Sequence, residues 1–274
     1  MIVTLFEITL QSRTPITINA SSLDEATAQL PAGFYTTFST LNGGSRVLGL
    51  QAHLDRLYLP ARKLGLQPSI NEMDLRRHLA ELAKENLPDE TRVRLILTKD
   101  KGKVYVGIQP FAPPLREIYV QGVHVVTSNI SRSNPRVKGT DFIAKSAEQR
   151  KLIRGDVYEI LLVHGGSIFE GMTSNFYAVR GGTLITARKG ILLGVTRRAV
   201  LRLARREGMP IEYRPPRVGE GFDEAFLTSS SRGIVPVVQI DGKPVGQGKV
   251  GVWTKRLSLA YQAYVEKRSE KIIP

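Results

Sequence analysis

Apolar residues along this chain recur at two periods, and the switches between them mark its elements. Gly33-Phe34-Tyr35-Thr36-Thr37-Phe38-Ser39-Thr40 is rich in aromatic and β-branched residues, the composition of a strand. Weak alternation over residues 2–10 predicts another strand, whereas residues 14–32 follow neither period and read as irregular. Asn42-Gly43-Gly44 tolerates positive φ, so residues 45–50 are expected to return as a strand. Leu54, Leu57, Ala61 and Leu64 then fall at helical spacing, with Gly65 placed as a C-cap. They predict a helix over 50–64, kinked or divided at Pro60. Leu75, Leu79 and Leu82 predict a second helix over 73–86. Residues 92–97 alternate, giving a strand with Arg92 and Arg94 on one solvent-facing side, and residues 104–108 form the next strand.

Pro110, Pro113 and Pro114 remove backbone donors and fix φ, which suits a linker better than a central strand. The expected organisation is a small domain over 1–109, a linker over 110–118 and a large domain over 119–274. A strand is predicted from 119 to 127 and a helix from 140 to 154, ended by Gly155. Strands follow at 158–163, to about Glu170, at 176–179 and at 183–186. Val200, Leu203 and Ala204 give the apolar side of a helix for which Thr196 is the candidate N-cap. Strands at 224–228 and 237–240 precede a last helix that packs Trp253, Leu257, Tyr261 and Tyr264. Strands with a few helices in each half, and no regular βαβ alternation, define an α+β chain of two domains.

Composition narrows the function classes. The 274 residues contain no cysteine, which excludes disulfides, thiolate metal sites and cysteine nucleophiles. The four histidines are dispersed, so no metal is expected. Neither a signal peptide nor an apolar run long enough for a membrane helix is seen, so a cytoplasmic location is expected. The formal charge of +14 is uneven, with 14 basic and 12 acidic residues up to Val120 and 25 and 13 after it. Without interleaved aromatics or a known module, that excess points away from specific nucleic-acid binding and towards anionic small molecules. The glycine fingerprint of a dinucleotide site and the phosphate loop are both absent.

Lys138 stands just before a predicted helix, and Glu170 at the end of a predicted hairpin. A lysine and a carboxylate so placed suit a cofactor with an aldehyde at one end and a basic ring nitrogen at the other. The unpaired N–H groups at the helix start near Thr196 suit a phosphate, and Ser229-Ser230-Ser231 offers hydroxyls for the same anion. Taken singly, each is equally a surface or capping residue. Lys138 is one of 14 lysines, and Lys145, inside the helix, is its rival.

Taken in order, the motifs carry more. His53-Leu54-Asp55-Arg56-Leu57, Lys138 before a helix, Glu170-Gly171-Met172-Thr173-Ser174-Asn175, Gly194-Val195-Thr196-Arg197 and Asp223-Glu224-Ala225-Phe226 together resemble the class IV aminotransferases. These are the fold-type IV pyridoxal phosphate enzymes, a group that includes branched-chain and D-amino acid aminotransferases and aminodeoxychorismate lyase. The resemblance spans about residues 33–265. It implies a small N-terminal α/β domain, a larger domain with a mixed, β-barrel-like core, and a homodimer with active sites at domain interfaces.

It also implies roles. Lys138 would form the Schiff base and carry a proton between the substrate Cα and the cofactor C4′. Glu170 would hold the ring nitrogen protonated. Arg56 and the N–H groups of Val195 and Thr196 would bind the phosphate, and Ser230 or Ser231 would contact the phosphate or the substrate carboxylate. Tyr35 would line the site, Thr37 would stand near the substrate as in the lyase branch, and Arg92 or Arg94 is a candidate for the substrate carboxylate. The resemblance departs at Phe142, where branched-chain enzymes have tyrosine, at Asp141, where asparagine is common, and over the first thirty residues. The expected reaction moves an amino group between an amino acid and a 2-oxo acid. Pyruvate elimination from aminodeoxychorismate is the alternative, and a non-catalytic binding protein on this fold is the third reading.

Overall fold

In a computed structural model, described over residues 3–273, backbone pairing follows most of the alternating segments, but the chain path is less simple than its sequence. Two compact units interleave. The first takes residues up to Ala112, then Val137–Lys145, then Arg268 onward; the second takes Pro113–Arg136 and Ser146–Lys267. The first crossing between units falls at Ala112–Pro113. Segments 137–145 and 268–273, assigned by sequence to the C-terminal domain, pack with the first unit instead.

The first unit contains β1 (Thr4–Ile8), β2 (Arg13–Ile16), α1 (Leu23–Ala28), β3 (Gly33–Ser39), β4 (Arg46–Val47), α2 (Leu50–Lys63), α3 (Glu72–Glu85), β5 (Thr91–Thr98) and β6 (Val104–Pro110). Five strands pair antiparallel in the order β2-β1-β6-β5-β3. Alternation assigns the faces: Val93, Leu95 and Leu97 of β5 join Leu54 and Leu57 of α2 and Leu75 and Leu79 of α3 in one core. Ile96 points the other way and clusters with Leu5, Tyr35, Tyr105 and Ile143. The helix periods of α2 and α3 thus read correctly, and Pro60 lies within the last turn of α2.

Two expectations change here. Residues 14–32 are not irregular throughout, since they hold most of β2 and all of α1. The Ser22 side chain caps α1 by accepting from the Glu25 N–H. The expected return strand over 45–50 shrinks to β4, which pairs with the two-residue strand Glu270–Lys271. The predicted strand over 2–10 appears as β1; Ile2 lies outside the described residues.

The second unit contains β7 (Val123–Ser128), β8 (Val157–His164), β9 (Ser167–Gly171), β10 (Asn175–Arg180), β11 (Thr183–Ile185), β12 (Ile211–Glu212), β13 (Glu224–Ser229), β14 (Gly233–Ile240) and β15 (Lys243–Pro244). They make one mixed sheet in the order β12-β11-β10-β13-β14-β7-β8-β9, with β15 beside β14. Helices Val195–Arg206 and Val252–Arg268 accompany it. The expected strand start at 119 is instead the helix Arg116–Gln121, stopped by Gly122 at φ 80° immediately before β7.

β7 and β8 run parallel, and parallel neighbours need a long crossover. Residues 129–156 supply it, and they carry Lys138. The helix expected over 140–154 is therefore broken into Asp141–Lys145 and Ala147–Arg150, the break at Ser146 falling where the chain passes between units. No helix among the described residues is long and apolar enough to cross a membrane.

Candidate active site

Lys138 belongs to the first unit, where its segment runs beside β3. The Tyr35 N–H donates to the Lys138 carbonyl at 2.9 Å and the Thr140 N–H donates to the Gly33 carbonyl at 2.9 Å. The Gly33 N–H donates to Thr140 Oγ1 at 2.9 Å. These bonds fix the lysine's backbone before the helix Asp141–Lys145 begins. Lys138 Nζ lies 4.8 Å from the centroid of the Tyr35 ring, and the Arg94 guanidinium lies 4.8 Å from the same centroid. Lys138, Tyr35 and Arg94 are thus neighbours. Lys145 is exposed at the end of its helix.

Arg94 is not on the open side that alternation suggested. It points to the sheet face that α1 covers, is 4% exposed, and pairs with Asp24 at 2.6 Å. It also donates to Thr37 Oγ1, Thr27 Oγ1 and the Leu23 carbonyl. Thr37 is accordingly an anchor for Arg94. His53 packs as sequence suggested: it is buried, its Nδ1 hydrogen-bonds Thr36 Oγ1 at 2.6 Å, and its ring lies 5.0 Å from Phe38. That contact ties α2, and with it the half-buried Arg56, to β3. Phe142 is buried in this unit, and exposed Asp141 opens the short helix.

The second unit brings the other predicted residues together. Glu170, in β9, is 2% exposed. Its Oε1 accepts from Arg132 Nε at 2.8 Å, and its Oε2 accepts from the Leu192 N–H at 3.0 Å and Asn175 Nδ2 at 3.4 Å. Buried donors and a cation of this kind favour the ionised carboxylate. Asn175 also donates to the Leu192 carbonyl at 2.7 Å. A Cβ on Gly194 would lie 2.3 Å from Asn175 Oδ1, so only glycine lets the helix start approach this turn.

That helix begins at Val195 with Gly194 as N-cap and no side-chain cap. Thr196 is therefore not the cap expected from sequence; it sits inside the first turn, buried, where Tyr261 donates to its Oγ1 at 3.4 Å. Burial pushes the Tyr261 phenol up to about 12, so it remains a neutral donor at ordinary pH. The first N–H groups of a helix lack intrahelical acceptors, and here they are those of Val195 and Thr196, which open the helix. Ser230 and Ser231 occupy the turn between β13 and β14, which Gly233 closes at φ 64°. Thr228 of β13 pairs with Asn175 of β10, placing the Glu170–Asn175 turn and the serine turn at one end of neighbouring strands.

Sequence reasoning missed three residues. Arg132 pairs with Glu170, while Glu159 and Arg232 pair at 2.9 Å. Arg232 also donates to Ser229 Oγ and Thr173 Oγ1, tying together the serine turn and the turn after Glu170. Burial works against the charge on Arg232, but the Glu159 carboxylate offsets it and holds the guanidinium above its ordinary value. The partners stand 38 and 73 positions apart, beyond the reach of any local spacing rule. A run of buried strand positions holding one Glu was the available signal at Glu159.

A family model described as amino-transferase class IV matches residues 33–240. The chain belongs to the class IV aminotransferase family, whose members use pyridoxal phosphate. It is similar to a D-alanine aminotransferase of Bacillus licheniformis, 26% identical over 271 residues that cover 93% of this chain and 95% of that one. It is also similar to a branched-chain-amino-acid aminotransferase of Pseudomonas aeruginosa, 26% identical over 249 residues covering 83% and 81%. The crystal structure of the branched-chain aminotransferase of Thermobaculum terrenum in its PLP form shares the fold, with a TM-score of 0.79 at 20% identity and 98% coverage of both chains. The two-domain, fold-type IV architecture expected from sequence is therefore correct, and the chain is a pyridoxal phosphate-dependent aminotransferase. The residues present fit that cofactor. A buried carboxylate held by a cation suits a ring nitrogen, and a helix start cleared by Gly194 suits a phosphate.

Proposed function

We propose that Lys138 and Glu170 are the catalytic residues of this aminotransferase and that it moves amino groups between small amino acids and 2-oxo acids. The observation that supports this reading is that Asn175, inside the second unit, bonds Glu170, abuts the Gly194 helix start and pairs with Thr228 just before the serine turn. Pyridoxal phosphate, when bound, supplies an aldehyde for amino groups and a ring that accepts electrons released at Cα. Lys138 Nζ would hold the cofactor's aldehyde end and would serve as the base that moves a proton at the substrate Cα. Glu170 holds the proton on the ring nitrogen. The N–H groups of Val195 and Thr196, the hydroxyls of Ser230 and Ser231, and Arg56 bind the phosphate. Tyr35, stacked under Lys138 Nζ, lines the reacting end. Thr37 and Arg94 act at the substrate end through that ring, since Arg94 is already committed to Asp24.

The relatives' names include both D-alanine and branched-chain activities, so the donor's chirality belongs to the test. Loaded with pyridoxal phosphate and offered D- and L-amino acids with 2-oxo acids, the enzyme is expected to convert one chirality at least tenfold faster. Pyruvate release from aminodeoxychorismate with no amino transfer to any 2-oxo acid would replace this reading with the lyase. A cytoplasmic homodimer, expected from the sequence, belongs to the same proposal. Light scattering at twice the 30.4 kDa chain mass supports it, and scattering at the chain mass contradicts it.

A further inference from the structure

Burying a carboxylate is costly unless a cation and further hydrogen bonds compensate it. At Glu170 one such cation is Arg132, from the loop that follows β7. The side chains are 4% and 2% exposed, with Arg132 Nε 2.8 Å from Glu170 Oε1. The same guanidinium donates through Nη2 to the Met172 carbonyl at 2.7 Å, so Arg132 grips both the carboxylate and the turn that carries it. A cavity of about 160 Å³ borders the pair, with Ile130, Pro135, Leu162 and Phe169 among its apolar walls. Apolar walls make the cation's effect on its partner stronger than water would allow.

We propose that Arg132 is a positioning residue for the ring nitrogen of the cofactor, acting through Glu170, an inference that rests on the role given to Glu170 above. Arg132 keeps Glu170 ionised before the cofactor arrives and fixes the carboxylate's orientation through two anchored contacts. The ring nitrogen then meets a preformed anion, and no proton or side chain has to be rearranged on binding. Remove Arg132 and the buried carboxylate loses this charge partner and the grip on its turn, which weakens its hold on a protonated ring.

The test is a double-mutant cycle on cofactor affinity, measured by fluorescence titration of pyridoxal phosphate into the stripped wild type, R132Q, E170Q and the double variant. R132Q is expected to weaken binding by about 10- to 100-fold, the scale of a hydrogen bond to a buried charged group. In the E170Q background the same change is expected to cost less than about threefold, because the partner it serves is gone. R132K keeps the charge but not the fork, so its loss should be intermediate, and it replaces R132Q should that variant fail to fold. NMR of nitrogen-labelled cofactor should show a protonated ring nitrogen in the wild type and R132K, and loss of that signature in R132Q. A purely structural arginine would leave this signature unchanged. Wild-type affinity in R132Q, or equal losses in both backgrounds, would overturn the role of Arg132. Wild-type affinity in E170Q would instead overturn the role of Glu170 beneath it.

Discussion

Two carboxylate–arginine pairs lie buried in the second unit, on adjacent strands, and they are held very differently. Glu159 in β8 is 1% exposed and ringed by donors: Arg232, the Thr173 hydroxyl at 2.7 Å and, more weakly, the Ser174 hydroxyl at 3.4 Å. Its arginine also binds Ser229, so the pair staples two turns together. Glu170 in β9 is as deeply buried, but its pair borders a cavity and its donors come from Arg132, Leu192 and Asn175, the turn beside a helix start. Burial and charge do not separate the staple from the pair proposed to serve the cofactor. What lies next to the carboxylate does.

Breaking the staple should have the largest effect. Arg232→Leu leaves Glu159 buried without its cation, so chemical denaturation should show a stability loss of about 3–5 kcal/mol. Cofactor affinity per folded molecule should change far less. Glu170→Gln is close to the mirror image. The amide still accepts from Arg132, so its stability loss should be the smaller of the two, while turnover should fall by roughly 10²–10³-fold, the cost of removing one preorganised charge partner. If the two variants gave the same balance of stability and activity loss, the contrast between the pairs would collapse.

Gly194→Ala sharpens the comparison from a third side. A Cβ there would meet Asn175 Oδ1 at 2.3 Å, and such overpacking costs about 1–3 kcal/mol. Because Asn175 serves Glu170 and not Glu159, cofactor affinity should fall together with the melting temperature. The half-buried pair Arg214–Glu220, away from both carboxylates, is the control with the smallest effect. The Arg214 hydrogen bond lowers the Glu220 carboxyl to about 2. A lowered carboxylate adds stability above its unfolded-state value, and that contribution is lost as pH falls through the folded value. Glu220→Gln should therefore remove a small acid-side slope between about pH 4.5 and 2, worth about 0–1 kcal/mol after solvent screening. Melting curves across that window check it.

Sequence reading went furthest where one period governs a whole element. The Leu54–Leu57–Ala61 spacing gave α2, and Leu75–Leu79–Leu82 gave α3, because each helix buries a single stripe against one sheet face. It failed where tertiary context decides. Ile118-Tyr119-Val120 has the composition of a strand, yet ladder pairing begins only at Val123. α1 is too short for a period to register, and missing it made Arg94 look solvent-facing when α1 covers it. Lys138, Glu170 and the Gly194-Val195-Thr196 start could be singled out because each sits at the end of an element, where turn and cap residues punctuate the chain. Arg132 and Arg232 could not. Among so many arginines, only the folded chain selects which two reach a buried carboxylate.

The most direct measurement concerns Lys138. Protein loaded with pyridoxal phosphate is treated with borohydride, which fixes the cofactor to whichever lysine holds it, then digested and mapped by mass spectrometry. The account predicts one labelled peptide, carrying the label on Lys138, and no label in Lys138→Ala. A label on Lys145, or an undiminished yield in Lys138→Ala, would contradict it.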